Sequence, residues 1–276
     1  MSEYIIGKGA LPAKTDVRDY RVKATSGDFP ETFELNYLPK VKNQHAVNSC
    51  VAHATSSILE YFNKKEVNST VELSTNFIYG MQGVALGRYD SGMYLRDACK
   101  IVKEYGDPTE DTIKGNTEQP NCAKRLSEQL TDEVYAEAAI GKIDSYARCR
   151  TEKEIKHALM NYGPVLASIK WYDDSIITHD GVIIMNTEAD YGYHAIMIYG
   201  WNKKGWLCQN SWGSTWGNCG RFIYPFNNTY LSEKIEEAWL FVDAKNSDIY
   251  APKRNKGFDF FYSIINFILN LFKGRE

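Results

Sequence analysis

A chain of 276 residues that is 43% hydrophobic and 13% aromatic can bury a substantial core, as one large domain or as two lobes. Its formal net charge of -3 gives no general basic surface, so no nucleic-acid partner is expected from the overall balance. Its six cysteines are scattered, with no CxxC pair and no Cys/His spacing suited to zinc, so neither a metal nor any other cofactor is expected.

The chain opens with MSEYIIGKGALPAK, which lacks the cationic start and continuous apolar run of a secretory signal, so no signal peptide is expected. Residues 1–29 are polar with little periodicity and read as an N-terminal extension, a tether or short pro-segment that Pro30 and Pro39 lead into the body. In KVKNQHAVNSCVAHATSSILEYF, residues Val51, Ala54, Thr55, Ile58, Leu59 and Phe62 recur at the spacing of one helical face. A largely buried helix is predicted there, with Ser49 or Asn48 as its cap and Cys50 at its mouth.

A second helix is predicted over about 93–105, stopped by Gly106, Asp107 and Pro108, and followed by a loop to 121. A third spans about 151–162 and ends at Gly163 and Pro164. Beyond it VLASIKWY, GVIIMN, YHAIMIYGW, GWLCQN, GRFIYPF and AWLFVD are short runs rich in β-branched and aromatic residues between Gly, Asn and Asp, as in antiparallel sheet. The first half is therefore helical and the second β, an α+β chain.

After a basic linker, 246–257, the tail 258–276 is different in kind. Asp259, Ser263, Asn266 and Asn270 form a narrow polar stripe on an otherwise apolar helical pattern, flanked by Lys253, Arg254, Lys256, Lys273 and Arg275. Fifteen helical residues reach only about 22 Å against a ~30 Å hydrocarbon core, so a simple span is not expected. Contact with an anionic membrane surface, with another protein, with a second copy or with the chain's own body, and a disordered tail, all remain open.

Three segments draw the chemistry together: NQHAVNSC at 43–50, YGYHAIMIYGW at 191–201 and QNSWGSTWGNCG at 209–220. With Gln44 six residues before Cys50, His194 in a strand pattern and Asn210 sixteen residues after it, the sequence resembles the papain-like cysteine proteases, the cathepsin family (peptidase family C1). NSWGSTWGNCG fits that family's NSWGxxWGxxG at every fixed position, and the resemblance runs from about Pro30 to Asp243.

The resemblance implies a papain-like two-lobe fold over 30–245. A helical left lobe (about 30–130) would carry a long central helix, and an antiparallel β-barrel-like right lobe (about 131–245) would face it across the active-site cleft. It implies Cys50 as a thiolate nucleophile at a helix N-terminus and His194 as its imidazolium partner. Asn210 would hold the imidazole under Trp212, and Gln44 would supply an oxyanion donor together with the Cys50 N–H. Gly92 would pair with an extended substrate, with Met93, Tyr94 and Tyr193 beside it, so the implied partners are protein or peptide substrates.

The usual CGSCW around the nucleophile is VNSCV here. Val47 removes a common disulfide partner and Val51 an aromatic residue. With Cys50 reactive, five cysteines remain, an odd number that favours a reducing compartment and leaves one bridge such as Cys99 to Cys122 open. The family's long helical propeptide does not fit in the first 29 residues. No adjacent His pair marks the occluding loop of cathepsin B, so endopeptidase action is preferred. A catalytically weak relative that binds peptides or membranes, and acyl transfer by the same thiol, are the rival readings.

His53, one turn after Cys50, is expected to pack, and His45 to contact substrate or face solvent. His157 and His179 are expected at the surface, and Trp216 to be structural. The Asn-, Lys-, Ile- and Tyr-rich texture fits an AT-rich genome, viral or bacterial.

Overall fold

The computed structural model describes residues 8–11, 13, 16, 19–22, 28–89, 92–115, 122–226 and 235–243. The linker 246–257 and the apolar tail 258–276 lie outside the described residues.

Strands β1 (Ala10–Leu11) and β2 (Phe33–Glu34) precede helix α1 (Cys50–Val67). Helices α2 (Thr75–Gly80) and α3 (Gln82–Leu86), strand β3 (Met93–Tyr94), and helices α4 (Leu95–Glu104), α5 (Cys122–Ser127) and α6 (Asp132–Ala138) follow. Strand β4 (Ile143–Cys149), helix α7 (Glu152–Asn161) and strand β5 (Val165–Tyr172) come next. Strands β6 (Ile176–Ile177), β7 (Ile183–Ile184), β8 (Tyr191–Trp201), β9 (Gly205–Gln209), β10 (Arg221–Pro225) and β11 (Glu237–Asp243) complete the elements of the described residues.

The principal sheet has the order β10-β9-β8-β5-β11-β4, with β2 also on β8, and its pairings are antiparallel. Its longest pairing, β5 with β8, sets Ile169 opposite His194 and Ser168 opposite Ala195. Because both faces of β8 are covered, Ala195, Met197 and Tyr199 entering the core around α1 and Ile196, Ile198 and Trp201 the core of the sheet, its residues from His194 to Trp201 are all buried and the segment reads as a nearly continuous apolar run.

Helix α1 departs from the one-faced helix that its spacing predicts. From Cys50 to Phe62 every residue is buried, including His53, Ser56, Ser57 and Glu60. Helices lie on one side of it and β8 on the other, so its polar residues find internal partners: Ser56 Oγ donates to the Leu73 carbonyl at 3.0 Å. Full burial of a side chain such as Ile58 contributes about 1.5–3 kcal/mol.

The second predicted helix begins two residues later than its pattern suggests. Met93 and Tyr94 are extended and pair in parallel with Ala10 and Leu11, and only Leu95–Glu104 is helical, its buried side Leu95, Ala98, Cys99, Ile101 and Val102. Helix α7 is capped as expected: Thr151 accepts from the Glu154 N–H at 3.2 Å. All six cysteines are free, so the Cys99–Cys122 bridge left open by the sequence is not formed. Among the described residues, no helix is long and apolar enough to cross a membrane.

Candidate active site

Cys50 is the first residue of α1 and is completely buried. Ser49 occupies the N-cap position, but its side chain makes no capping bond, so the first-turn N–H groups stay directed at the space around the thiol. The Gly9 N–H donates to Cys50 Sγ at 3.3 Å. Burial raises the Cys50 thiol pKa, outweighing the Ala195, Gly9, Val51 and Cys50 N–H groups that favour the thiolate.

The loop before the helix delivers Gln44. Its N–H donates to the Ser211 carbonyl at 2.8 Å, its Oε1 accepts from Ser211 Oγ at 2.6 Å, and its Nε2 donates to the Val47 carbonyl at 2.7 Å. His45 is exposed in a left-handed conformation (φ 51°), held by its N–H to Asn43 Oδ1 at 2.9 Å. Val51 is wholly buried and Val47 packs against the same helical core, so both departures from CGSCW are filled by apolar contact.

His194 stands in mid-β8, also completely buried. Its Nε2 meets Asn210 Oδ1 at 2.7 Å, and the Ser211 N–H donates to the same oxygen at 2.8 Å. The Trp212 ring lies 4.6 Å from the imidazole, centroid to centroid, at 33°. Trp171 from β5 closes on both at 5.7 and 4.7 Å, and Trp216 packs edge-on to Trp212 at 5.0 Å. Burial lowers the His194 pKa to about 4, the Asn210 bond opposing and the Lys8 charge assisting.

His194 Nδ1, Asn210 Nδ2 and Trp212 Nε1 are buried with no hydrogen-bond partner. Such groups cost stability, and their retention here points to a functional role. Gly213 and Gly220, at φ +80° and +81°, make the turns that bring Asn210 and Trp212 under His194. A Cβ at Gly220 would also strike Val41.

The N-terminal segment crosses this centre. Gly9 contributes its carbonyl to the Met93 N–H at 2.8 Å as well as its N–H to Cys50, and β1 then runs parallel to β3. Gly92 is needed here: at φ +78° it passes so close that a Cβ would sit 2.2 Å from the Gly9 carbonyl oxygen. Lys8 lies against Gly192 and pairs with Asp173. The structure therefore brings together Cys50, Gln44, His194, Asn210 and Trp212, with Gly92 and Met93 along the segment. Tyr94 is half-buried opposite Leu11, and Tyr193 half-buried beside His194. His53 is buried as expected, its Nδ1 3.0 Å from the Ser49 carbonyl, while His179 is exposed and His157 half-buried.

Three contributors escaped sequence reasoning. Ser211 joins Asn210 to Gln44, and its position between Asn210 and Trp212 was the available signal. Trp171 came only as part of a strand pattern. The third is a buried ion pair behind Gln44: Lys42 Nζ lies 2.8 Å from Glu60 Oε1, with side chains 9% and 6% exposed. Lys42 also donates to the Leu73 carbonyl at 3.1 Å, and Glu60 accepts from the Leu73 N–H at 2.8 Å. Desolvation presses Lys42 down, but Glu60 and Glu110 outweigh it and hold its pKa above the usual value.

Comparison with known proteins points the same way. The model of the papain family cysteine proteases matches residues 26–238. An uncharacterized peptidase C1-like protein of Acanthamoeba polyphaga mimivirus is 26% identical over 222 residues, covering 72% of this chain and 68% of that protein. Cathepsin K of Mus musculus is 26% identical over 217 residues, covering 73% and 61%. The chain thus spans about two thirds of the length of these curated relatives. Among solved structures, xylellain, a cysteine protease from Xylella fastidiosa, superposes with a TM-score of 0.74 at 22% identity, covering 87% of this chain and 97% of that one.

Proposed function

We infer, for a chain that belongs to the papain family of cysteine proteases, that it is a cysteine endopeptidase held latent by its own N-terminal segment. The observation that carries the reading is the imidazole itself. Asn210 fixes one ring nitrogen of His194, the other is unbonded, and the N–H of the next residue, Ala195, touches the Cys50 sulfur.

As described, the pair favours neutral thiol and neutral imidazole, because the segment keeps both dry. Gly9 presents an N–H to the sulfur rather than a carbonyl carbon, so in this pose the segment blocks without offering a bond to cleave. Its departure readmits water, and the proton moves from Cys50 Sγ to His194 Nδ1, giving thiolate and imidazolium. The thiolate then attacks the carbonyl carbon of a peptide laid along Gly92–Tyr94. The Gln44 amide and the Cys50 N–H receive the developing oxyanion. His194 protonates the leaving amine, and the neutral imidazole next deprotonates the water that splits the thioester. The six free cysteines support a reducing compartment.

The test is a peptide library incubated with the reduced chain freed of residues 1–18, which carry the blocking Gly9, and with the same chain bearing Cys50→Ala, alongside an epoxysuccinyl probe read by mass. Cys50-dependent cleavage and probe addition are expected. A freed chain whose Cys50 takes the probe but which cleaves nothing that Cys50→Ala spares would be a peptide-binding relative instead.

A further inference from the structure

The N-terminal segment is held at a second place, and there by charge. Asp19 Oδ1 accepts from Arg96 Nε at 3.0 Å and Oδ2 from Arg96 Nη2 at 2.6 Å, a bidentate pair, with Arg148 Nη1 3.6 Å away. The side chains of Asp19 and Arg148 are 7% and 8% exposed. Both guanidinium groups lie over the Trp239 ring, at 5.5 and 5.7 Å, while Trp239 Nε1 is tied to Glu237 Oε1 at 2.6 Å. Arg96 comes from α4, Arg148 from β4 and Trp239 from β11, so the receptor belongs to the body of the protein and only its ligand to the segment.

The three residues after Asp19 are held in turn, Tyr20 by its backbone alone. The Tyr20 carbonyl accepts from the Arg148 N–H at 2.7 Å, and the Val22 N–H donates to the Arg148 carbonyl at 3.3 Å, so the segment lies beside β4 as a short parallel bridge. The Tyr20 side chain is 74% exposed and unread. Arg21 Nη2 reaches Glu154 Oε1 at 3.1 Å, and Val22 is buried in the core of the sheet. We propose that Arg96, Arg148 and Trp239, with Glu154, form an exosite for an extended peptide of the pattern Asp-x-Arg-Val. In this chain residues 19–22 occupy it, and that occupancy keeps Gly9 on Cys50. The link to latency rests on the peptidase reading above; the exosite does not.

The experiment uses the full chain and iodoacetamide, with alkylation followed residue by residue by mass. Cys219, the one exposed cysteine, serves as the internal reference. Removing one charge from a buried, hydrogen-bonded pair is expensive, so Asp19→Asn should speed Cys50 alkylation at least about tenfold while Cys219 is unchanged. Tyr20→Ala should change nothing. A synthetic peptide of residues 8–22 should restore protection to the Asp19→Asn chain, and the same peptide carrying Asn in place of Asp19 should not at equal concentration. If the other buried cysteines also react quickly, Asp19→Asn has unfolded. Arg21→Glu, whose side chain is half exposed, then takes its place with an expected rise of about threefold. Wild-type protection of Cys50 in the folded variant, or equal protection by the two peptides, overturns the exosite. Because alkylation needs no peptide hydrolysis, a chain that shows this pattern and cleaves nothing loses the peptidase reading and keeps the exosite.

Discussion

The two halves of the site are built by different means. On the sheet side, His194 is fixed by one hydrogen bond and by rings: Asn210 at its Nε2, Trp212 and Trp171 around it, all borne on paired strands or the turn between them. On the helix side, Gln44 sits in a loop with no ladder of its own, and what stands behind it is a buried ion pair to the helix that begins at Cys50. Aromatic packing and the overlying N-terminal segment keep the imidazole dry and neutral, whereas Lys42 keeps its charge at comparable depth because carboxylates meet it. Burial alone does not decide protonation; what else is buried there does.

The largest expected effect breaks the helix side. Lys42→Met leaves Glu60 without its counter-charge in the core and should cost about 3–5 kcal/mol of unfolding free energy, measured by urea denaturation. The double variant Lys42→Met, Glu60→Leu should recover most of the loss, since no charge is then stranded. Equal losses in single and double variants would mean that the pair holds nothing together.

Acid should strain the sheet side next. The His194 pKa is lowered from 6.5 to about 4 under the segment, so a state with the segment lifted takes up the proton first. In Cys50→Ala, where no thiol can hand His194 a proton as the segment lifts, closure is therefore fully stable above about pH 6.5, weakens as the pH falls towards 4, and levels off below. The weakening reaches about 3 kcal/mol where lifting restores the ordinary value. Hydrogen exchange at the Met93 amide, bonded to Gly9, reads this directly once corrected for intrinsic rates. Protection that is flat from pH 7 to 4 would show that the segment does not sense His194.

Gln44→Ala sharpens the contrast by removing a donor without touching the ion pair behind it. The expected outcome is a drop in kcat of roughly 100-fold with KM little changed. A rise in KM with kcat unchanged would assign Gln44 to substrate binding.

The sheet side was also the more legible. NSWGSTWGNCG is one continuous string whose glycines, tryptophans and Asn210 all serve a single turn, and the runs after Pro164 carry their β character residue by residue. The helix side depends on pairs far apart in sequence, and nothing in VKNQ or ILEYF says that Lys42 and Glu60 meet. Strand β4 was missed because IDSYARC sits at the sheet's edge with a half-buried middle, leaving little alternation to read. Helix α6 had its signal, Thr131 followed by Asp132 and Glu133, but at seven residues it lacks the length for a periodic pattern. The shift of the second helix from Met93 to Leu95 was illegible for another reason: Met93 and Tyr94 are extended alongside a strand about eighty residues earlier, a contact that no local propensity encodes.

The smallest expected effect tests where the halves join. Ser211 touches both: its N–H donates to Asn210 Oδ1, its carbonyl accepts from the Gln44 N–H, and its hydroxyl donates to Gln44 Oε1. Ser211→Ala removes only the hydroxyl and keeps both backbone bonds, so Asn210 and His194 should stay in place while the Gln44 amide gains freedom. One neutral hydrogen bond is worth about 0.5–1.5 kcal/mol, so kcat should fall about two- to ten-fold. The variant should add almost nothing to the loss in Gln44→Ala, because a serine that acts through Gln44 has nothing left to orient once the amide is gone. Additive losses, or a displaced acid limb in the pH profile, would instead place the serine with His194 and make the sheet side responsible for both halves.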